Sequence, residues 1–185
     1  MKRTILTFGL ISGAISMAFM ALTLPFVDQI GHEGAGYVVG YTGLVAAFLL
    51  VFFGIRSYRD NVGGGQITFG RAFMIGLGIT AISCVCYVVA WEIIYFNFMH
   101  DFMDKYAAHV VEKVRNSGAS QAEVQAKLAE MKKMKERYEN PLFNSAITLL
   151  EPLPVGLLMT LVSAAILRRK PGGTTQVAAS ALGTS

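Results

Sequence analysis

Two carboxylates, Glu92 and Glu151, stand inside otherwise uncharged apolar runs. An acidic side chain at the centre of a membrane helix costs about 2.5–3.5 kcal/mol on translocon scales, so each needs a compensating role. Two carboxylates held close together share a proton or bind a cation. Pro152 and Pro154 follow Glu151 directly. They remove amide donors and disturb a helix at that point, and an acid beside a broken membrane helix has the makings of a proton or ion site. The plainer alternative places Glu92, beside Trp91 and Tyr95, in the aromatic belt of a membrane interface. Glu151 is then a carboxyl bonded within a helix bundle. The sequence leaves both readings open.

Other reactive residues carry less. Arg56-Ser-Tyr-Arg-Asp-Asn-Val-Gly-Gly-Gly-Gln-Ile-Thr-Phe-Gly-Arg71 contains three consecutive glycines, suited to a tight reversal. It lacks the Lys-Ser/Thr ending and the preceding strand of a phosphate-binding loop. His32-Glu33 is a lone adjacent pair in a short glycine-rich stretch and reads as a solvated turn. Cys84 and Cys86, two apart on a helix, point about 200° from each other and read as small apolar side chains. His32, His100 and His109 are scattered, and no Ser/His/Asp, Cys/His or multi-ligand pattern stands out. No enzymatic activity, cofactor or metal is expected.

These residues must be positioned by membrane helices. The chain is 54% hydrophobic and 15% charged, with a mean hydropathy of +0.50; soluble domains carry about 25% charged residues. About 20 apolar residues cross a hydrocarbon core. Four stretches qualify: about 5–27, 37–55, 73–98 and 143–167. The first is longer than a signal-peptide core and reads as a retained anchor. Backbone amides in lipid must be bonded internally, and no alternation of period two suggests a barrel, so the spans are predicted as helices. Counted from the outer ends of their spans, Glu92 and Glu151 both fall roughly 9–12 Å deep. Small residues recur at intervals of four: Gly9 and Gly13; Gly36 and Gly40, continuing to Gly43; Ala72, Gly76 and Thr80; Gly156, Thr160 and Ala164. Such faces allow close helix packing.

The net charge of +4 does not point to nucleic acid, because the cations sit mainly at the span ends and in one mixed-charge segment between spans three and four, where acids nearly balance them. Lys2 and Arg3, then Arg56, Arg59 and Arg71, then Arg168, Arg169 and Lys170 alternate with a first loop that has no Lys or Arg. The positive-inside rule places both termini in the cytoplasm. Arg56, Arg59, Arg71, Arg168, Arg169 and Lys170 are then candidate contacts for anionic lipid headgroups.

Between spans three and four, Phe98, Phe102, Tyr106, Val110 and Val114 recur every four residues, as though span three continued as a helix to about Arg115. Asn116-Ser117-Gly118 breaks it. Ser120 and Glu123 form a capping box for a second helix with Val124, Leu128, Met131, Met134 and Tyr138 on one stripe, ending before Asn140-Pro141. The prediction is all-α: a four-helix transmembrane bundle over residues 1–170 with an extramembrane amphipathic helical hairpin over about 99–140. The tail, 171–185, has too little bulk to pack and is expected to be disordered.

Tyr58-Arg59-Asp60, the glycine cluster, and Ile67-Thr-Phe-Gly-Arg-Ala-Phe73 with Gly76 resemble the DUF4199 family of bacterial membrane proteins. The resemblance implies a four-span chain with a longer segment between spans three and four. It implies no activity and no site residues. Two functions remain open. One is an accessory or interaction protein that works through helix packing and its hairpin, with lipid, a second copy or an unknown membrane or periplasmic protein as partner. The other is a proton- or cation-coupled transporter or channel subunit using Glu151 and Glu92.

Overall fold

The computed structural model describes residues 1–23, 26 and 34–169. His32, Glu33, Lys170 and the tail 171–185 lie outside the described residues. The described chain forms helices α1 (Lys2–Thr23), α2 (Ala35–Asn61), α3 (Phe69–Phe98), α4 (Phe102–Asn116), α5 (Gln121–Tyr138), α6 (Pro141–Leu149) and α7 (Pro152–Leu167). Four stretches are long and apolar enough to cross a membrane: α1, α2 from Val38, α3, and α6 with α7 taken together.

Two boundaries differ from expectation. Helix α2 continues past Ile55 to Asn61 and α3 begins at Phe69, so Arg56, Arg59 and Arg71 are helical rather than in a loop. Charged residues do not stop a helix, but the glycines do. The amides of Val62 and Gly63 both bond to the Tyr58 carbonyl, and the Gly65 amide bonds to that of Arg59. Gly64 and Gly65 have φ of 59° and 81° there, a conformation that favours glycine. Thr68 then caps α3, its hydroxyl accepting from the Arg71 amide. The second difference is that α3 does not run on to Arg115. It stops at Phe98, and the chain turns through Met99, His100 and Asp101 before α4. The turn brings the Phe102 ring edge-on to Trp91, with centroids 5.1 Å apart, and against Tyr95 at 6.4 Å. A straight helix would carry Phe102 away from both.

Close contacts fix the helix directions. Side chains on Gly9 and Gly13 of α1 would overlap Ile82 and Cys86 of α3, so the two helices run in parallel. Gly54 and Gly43 of α2 meet Phe8 and Phe19 of α1, so these two are antiparallel. Gly76 and Thr80 of α3 meet Thr160 and Gly156 of α7, again antiparallel. Both α1 and α7 pack on α2 and on α3. The predicted small-residue faces of α3 and α7 interlock. Thr80 lies 3.0 Å from the Thr160 hydroxyl and donates to the Gly156 carbonyl at 3.2 Å. Ser83 donates to the Gly9 carbonyl and Ser12 to that of Ala47. Polar and small residues thus lie inside the bundle beside Phe48, Val51, Ile55, Ile75 and Ile79, while Leu10, Leu49, Phe53, Val89, Leu158 and Ile166 point outward. An apolar exterior suits a solvent as apolar as leucine, where close packing and interhelical hydrogen bonds hold helices together.

Helices α4 and α5 pack through Val111, Val124 and Met131. Gly118, with φ of 81°, ends the turn between them, and the Ser120–Glu123 capping box starts α5. Leu128 does not join this packing and is 47% exposed.

Candidate functional site

Helix α3 carries Tyr87, Trp91 and Tyr95 at intervals of four, one face of a helix. The fourth span carries Asn144, Thr148 and Glu151 on a matching polar stripe. The two stripes face each other. The Tyr87 hydroxyl donates to Glu151 Oε2 at 2.7 Å, and the Ser145 hydroxyl donates to Glu92 Oε1 at 2.9 Å. Each carboxylate therefore has a hydroxyl donor on the opposing helix. Tyr87, level with Glu151, lies five residues before Glu92 on α3, about 7.5 Å along the axis. The depth expected to be common to both acids is not shared. The structure gives them separate partners instead of one joint site.

Around the acids lies a connected polar network. Trp91 Nε1 donates to the Tyr138 hydroxyl at 3.1 Å, Thr148 donates to Asn144 Oδ1 at 3.2 Å, and Asn144 Nδ2 donates to the Tyr138 carbonyl at 3.3 Å. Asn144 is fully buried. Burial raises the Tyr138 hydroxyl above the ordinary tyrosine range, keeping it neutral. Tyr138 is the last residue of α5. The network and the aromatic cluster of Tyr95, Phe102 and Tyr138 thus join α4 and α5 to the bundle. The whole belt lies at the end of α3 remote from the arginines.

Glu151 occupies the break between α6 and α7. The Leu150 and Glu151 amides bond three residues back, to Ile147 and Thr148, and Pro152 has no amide with which to continue the ladder. Behind Tyr87, on the side of α1 and α2, is a small cavity of about 80 Å³ lined by Ser16, Thr23, Gly40, Gly43 and Tyr87 among others. Among the described residues, no group of three or more His, Cys, Asp or Glu could hold a metal.

A second cluster lies at the opposite end. Ile67 and Arg169 exchange both backbone hydrogen bonds, at 3.2 and 2.9 Å, which ties the α2–α3 turn to the end of α7. With the helix directions above, this gathers Lys2, Arg3, Arg56, Arg59, Arg71, Arg168 and Arg169 at one end, with Asp60 among them. Arg59 Nε donates to Asp60 at 2.7 Å and is 12% exposed; Arg56 reaches the same carboxylate at 3.6 Å and is 56% exposed. Sequence reasoning placed these cations by their order along the chain but missed the Ile67–Arg169 pairing, which no spacing encodes. It also missed Tyr87, Ser145 and Tyr138 as partners. The Tyr87-Trp91-Tyr95 stripe was the available signal for the first.

A third feature is an open groove of about 850 Å³ between α4 and α5. Val111, Leu128 and Met131 line it, with Glu112, Lys132 and Glu136 among the charged residues around it. A family model described as a protein of unknown function (DUF4199) matches residues 7–169. Nothing matches among curated proteins or solved structures.

Proposed function

The chain belongs to the DUF4199 family, and from that premise we propose an accessory protein of the bacterial inner membrane that acts by association rather than catalysis. Both termini lie in the cytoplasm. Arg56, Arg59, Arg71, Arg168 and Arg169 meet anionic headgroups there, at about 1 kcal/mol for each cation near the surface. Helices α4 and α5 form a hairpin outside the membrane on the other side. One observation carries this reading. The Trp91–Tyr138–Asn144 network holds α4 and α5 firmly on the bundle, yet the groove between them keeps Leu128 open. A rigidly mounted surface with an uncovered apolar floor suits docking.

The occupant that fits best is a second copy. The groove rim carries acids (Asp104, Glu112, Glu136, Glu139) and bases (Arg115, Lys132, Lys135) in mixture. A two-fold axis lets such a face complement itself. The test is oxidative crosslinking of Leu128→Cys in liposomes, in a Cys84→Ala, Cys86→Ala background. Ala126→Cys, about 200° away on α5, serves as control. A disulfide dimer from Leu128→Cys alone is expected. Equal crosslinking at both positions, or none at either, would remove the second copy as occupant.

A second reading rests on Glu151: a proton- or cation-coupled transporter or channel subunit. What supports it is the placement of this acid at a helix break, bonded to a tyrosine that also lines a cavity. Glu92, bonded to Ser145 nearer the membrane surface, plays a lesser part in it. Loss of ion flux into liposomes on Glu151→Gln would support coupling, and unchanged flux would refute it.

A further inference from the structure

The 80 Å³ cavity joins two features otherwise unexplained. Ser16 is 5% exposed, and its hydroxyl has no hydrogen-bond partner among the described residues. Every fully enclosed side-chain nitrogen or oxygen in the described residues does have a partner. The Ser16 oxygen is therefore not fully enclosed, and the residue lines the cavity. An unbonded hydroxyl in an apolar setting is unfavourable unless water satisfies it. From Ser16 to Thr23 along α1 the cavity wall spans about 10 Å. Gly40 and Gly43 form the facing wall on α2. No side chain projects from Gly40 to narrow it. At the floor is Tyr87, whose proton points to Glu151. Its oxygen still has lone pairs to accept a further hydrogen bond.

We propose that this cavity is a hydrated site that admits water from the non-cytoplasmic side and passes protons through Tyr87 to Glu151. It deepens the second reading above. The step is a simple relay. A hydronium in the cavity gives a proton to the Tyr87 oxygen as the phenolic proton moves onto the Glu151 carboxylate. Hydronium becomes water, the tyrosine is unchanged in net protonation, and the carboxylate is neutralised. Ser16 supplies a hydroxyl that orients the water, and Thr23, whose proton goes to the Phe19 and Met20 carbonyls, offers only its oxygen as an acceptor.

The test is thiol accessibility in liposomes, again with Cys84 and Cys86 replaced by Ala. The probe is a small cationic methanethiosulfonate. Ser16→Cys is expected to react at least tenfold faster than Ile15→Cys, which is 40% exposed on the apolar exterior, and than Ser12→Cys, one turn deeper. Radiolytic hydroxyl footprinting of the unaltered chain keeps the test independent of folding. Met20 and Tyr87, at the cavity, are expected to oxidise more than Met159. Footprinting decides if the two disagree: oxidation at Met20 and Tyr87 no greater than at Met159 overturns the site. Hydration without Glu151-dependent flux would refute the transport reading and leave the water site standing. Flux without hydration would do the reverse.

Discussion

Tyr87 ties α3 to the break in the fourth span through its bond to Glu151. Tyr87→Phe removes the donor to Glu151 and leaves a partly buried carboxylate short of one bond. Bonds to charged groups contribute about 1.5–3 kcal/mol, and a loss in that range is expected in denaturant titration of the protein in detergent. An unchanged midpoint would show that water replaces the hydroxyl at no cost. Gly156 is constrained sterically. A Cβ there would collide with the Thr80 methyl and with Phe48. Gly156→Ala should cost about 1–3 kcal/mol in the same titration, whereas Gly70→Ala, with nothing within 4 Å, should cause no clash. The Gly76/Thr80 and Gly156/Thr160 spacing was readable in the sequence because intervals of four define a helix face whatever the partner. Gly54, wedged against Ile79 and Phe8, was not, since it belongs to no such series.

The start of α5 offers a pH-dependent prediction. The Ser120 amide donates to Glu123 at 2.7 Å and holds that carboxyl below the ordinary glutamate range. A depressed folded value means the contribution is present above the unfolded glutamate value near 4.5. It fades as pH falls through the folded value. Amides of the first α5 turn should therefore lose protection below about pH 4.5, measured against Glu123→Gln, whose α5 should show no such step. Ser120→Ala should cost about 1 kcal/mol at neutral pH. This cap was legible because Ser-x-x-Glu is a local code. The turn at Met99–Asp101 was not, because a four-residue apolar rhythm continues straight through it. Its cause is the contact of Phe102 with Trp91 and Tyr95, which exists only once the chain has folded back. Trp91→Phe keeps the ring packing but removes the donor to Tyr138. It should loosen α4 and α5 by about 0.5–1.5 kcal/mol, seen as faster hydrogen exchange confined to those helices.

The molecule as a whole has two dissimilar ends. One gathers arginines from three segments, tied by the Ile67–Arg169 pair; the other carries the aromatic belt, the acids and the α4–α5 groove. Hydropathy gave the number of spans directly, and the order of cations gave the basic end, because both are sums along the chain. Which acid meets which hydroxyl could not be read, because that depends on helix rotation and on the break at Glu151. The two ends are expected on opposite sides of the membrane. In sealed cells an impermeant maleimide should label Ala126→Cys and spare a cysteine at Val62, in the α2–α3 turn. The reverse pattern would invert the topology. Pairing of two copies through α4 and α5 can be read by native mass spectrometry from nanodiscs. A dimer is expected for the wild type and a monomer for Leu128→Asp, whose added charge would be buried in the paired groove. A wild-type monomer, or a dimer untouched by Leu128→Asp, would contradict it.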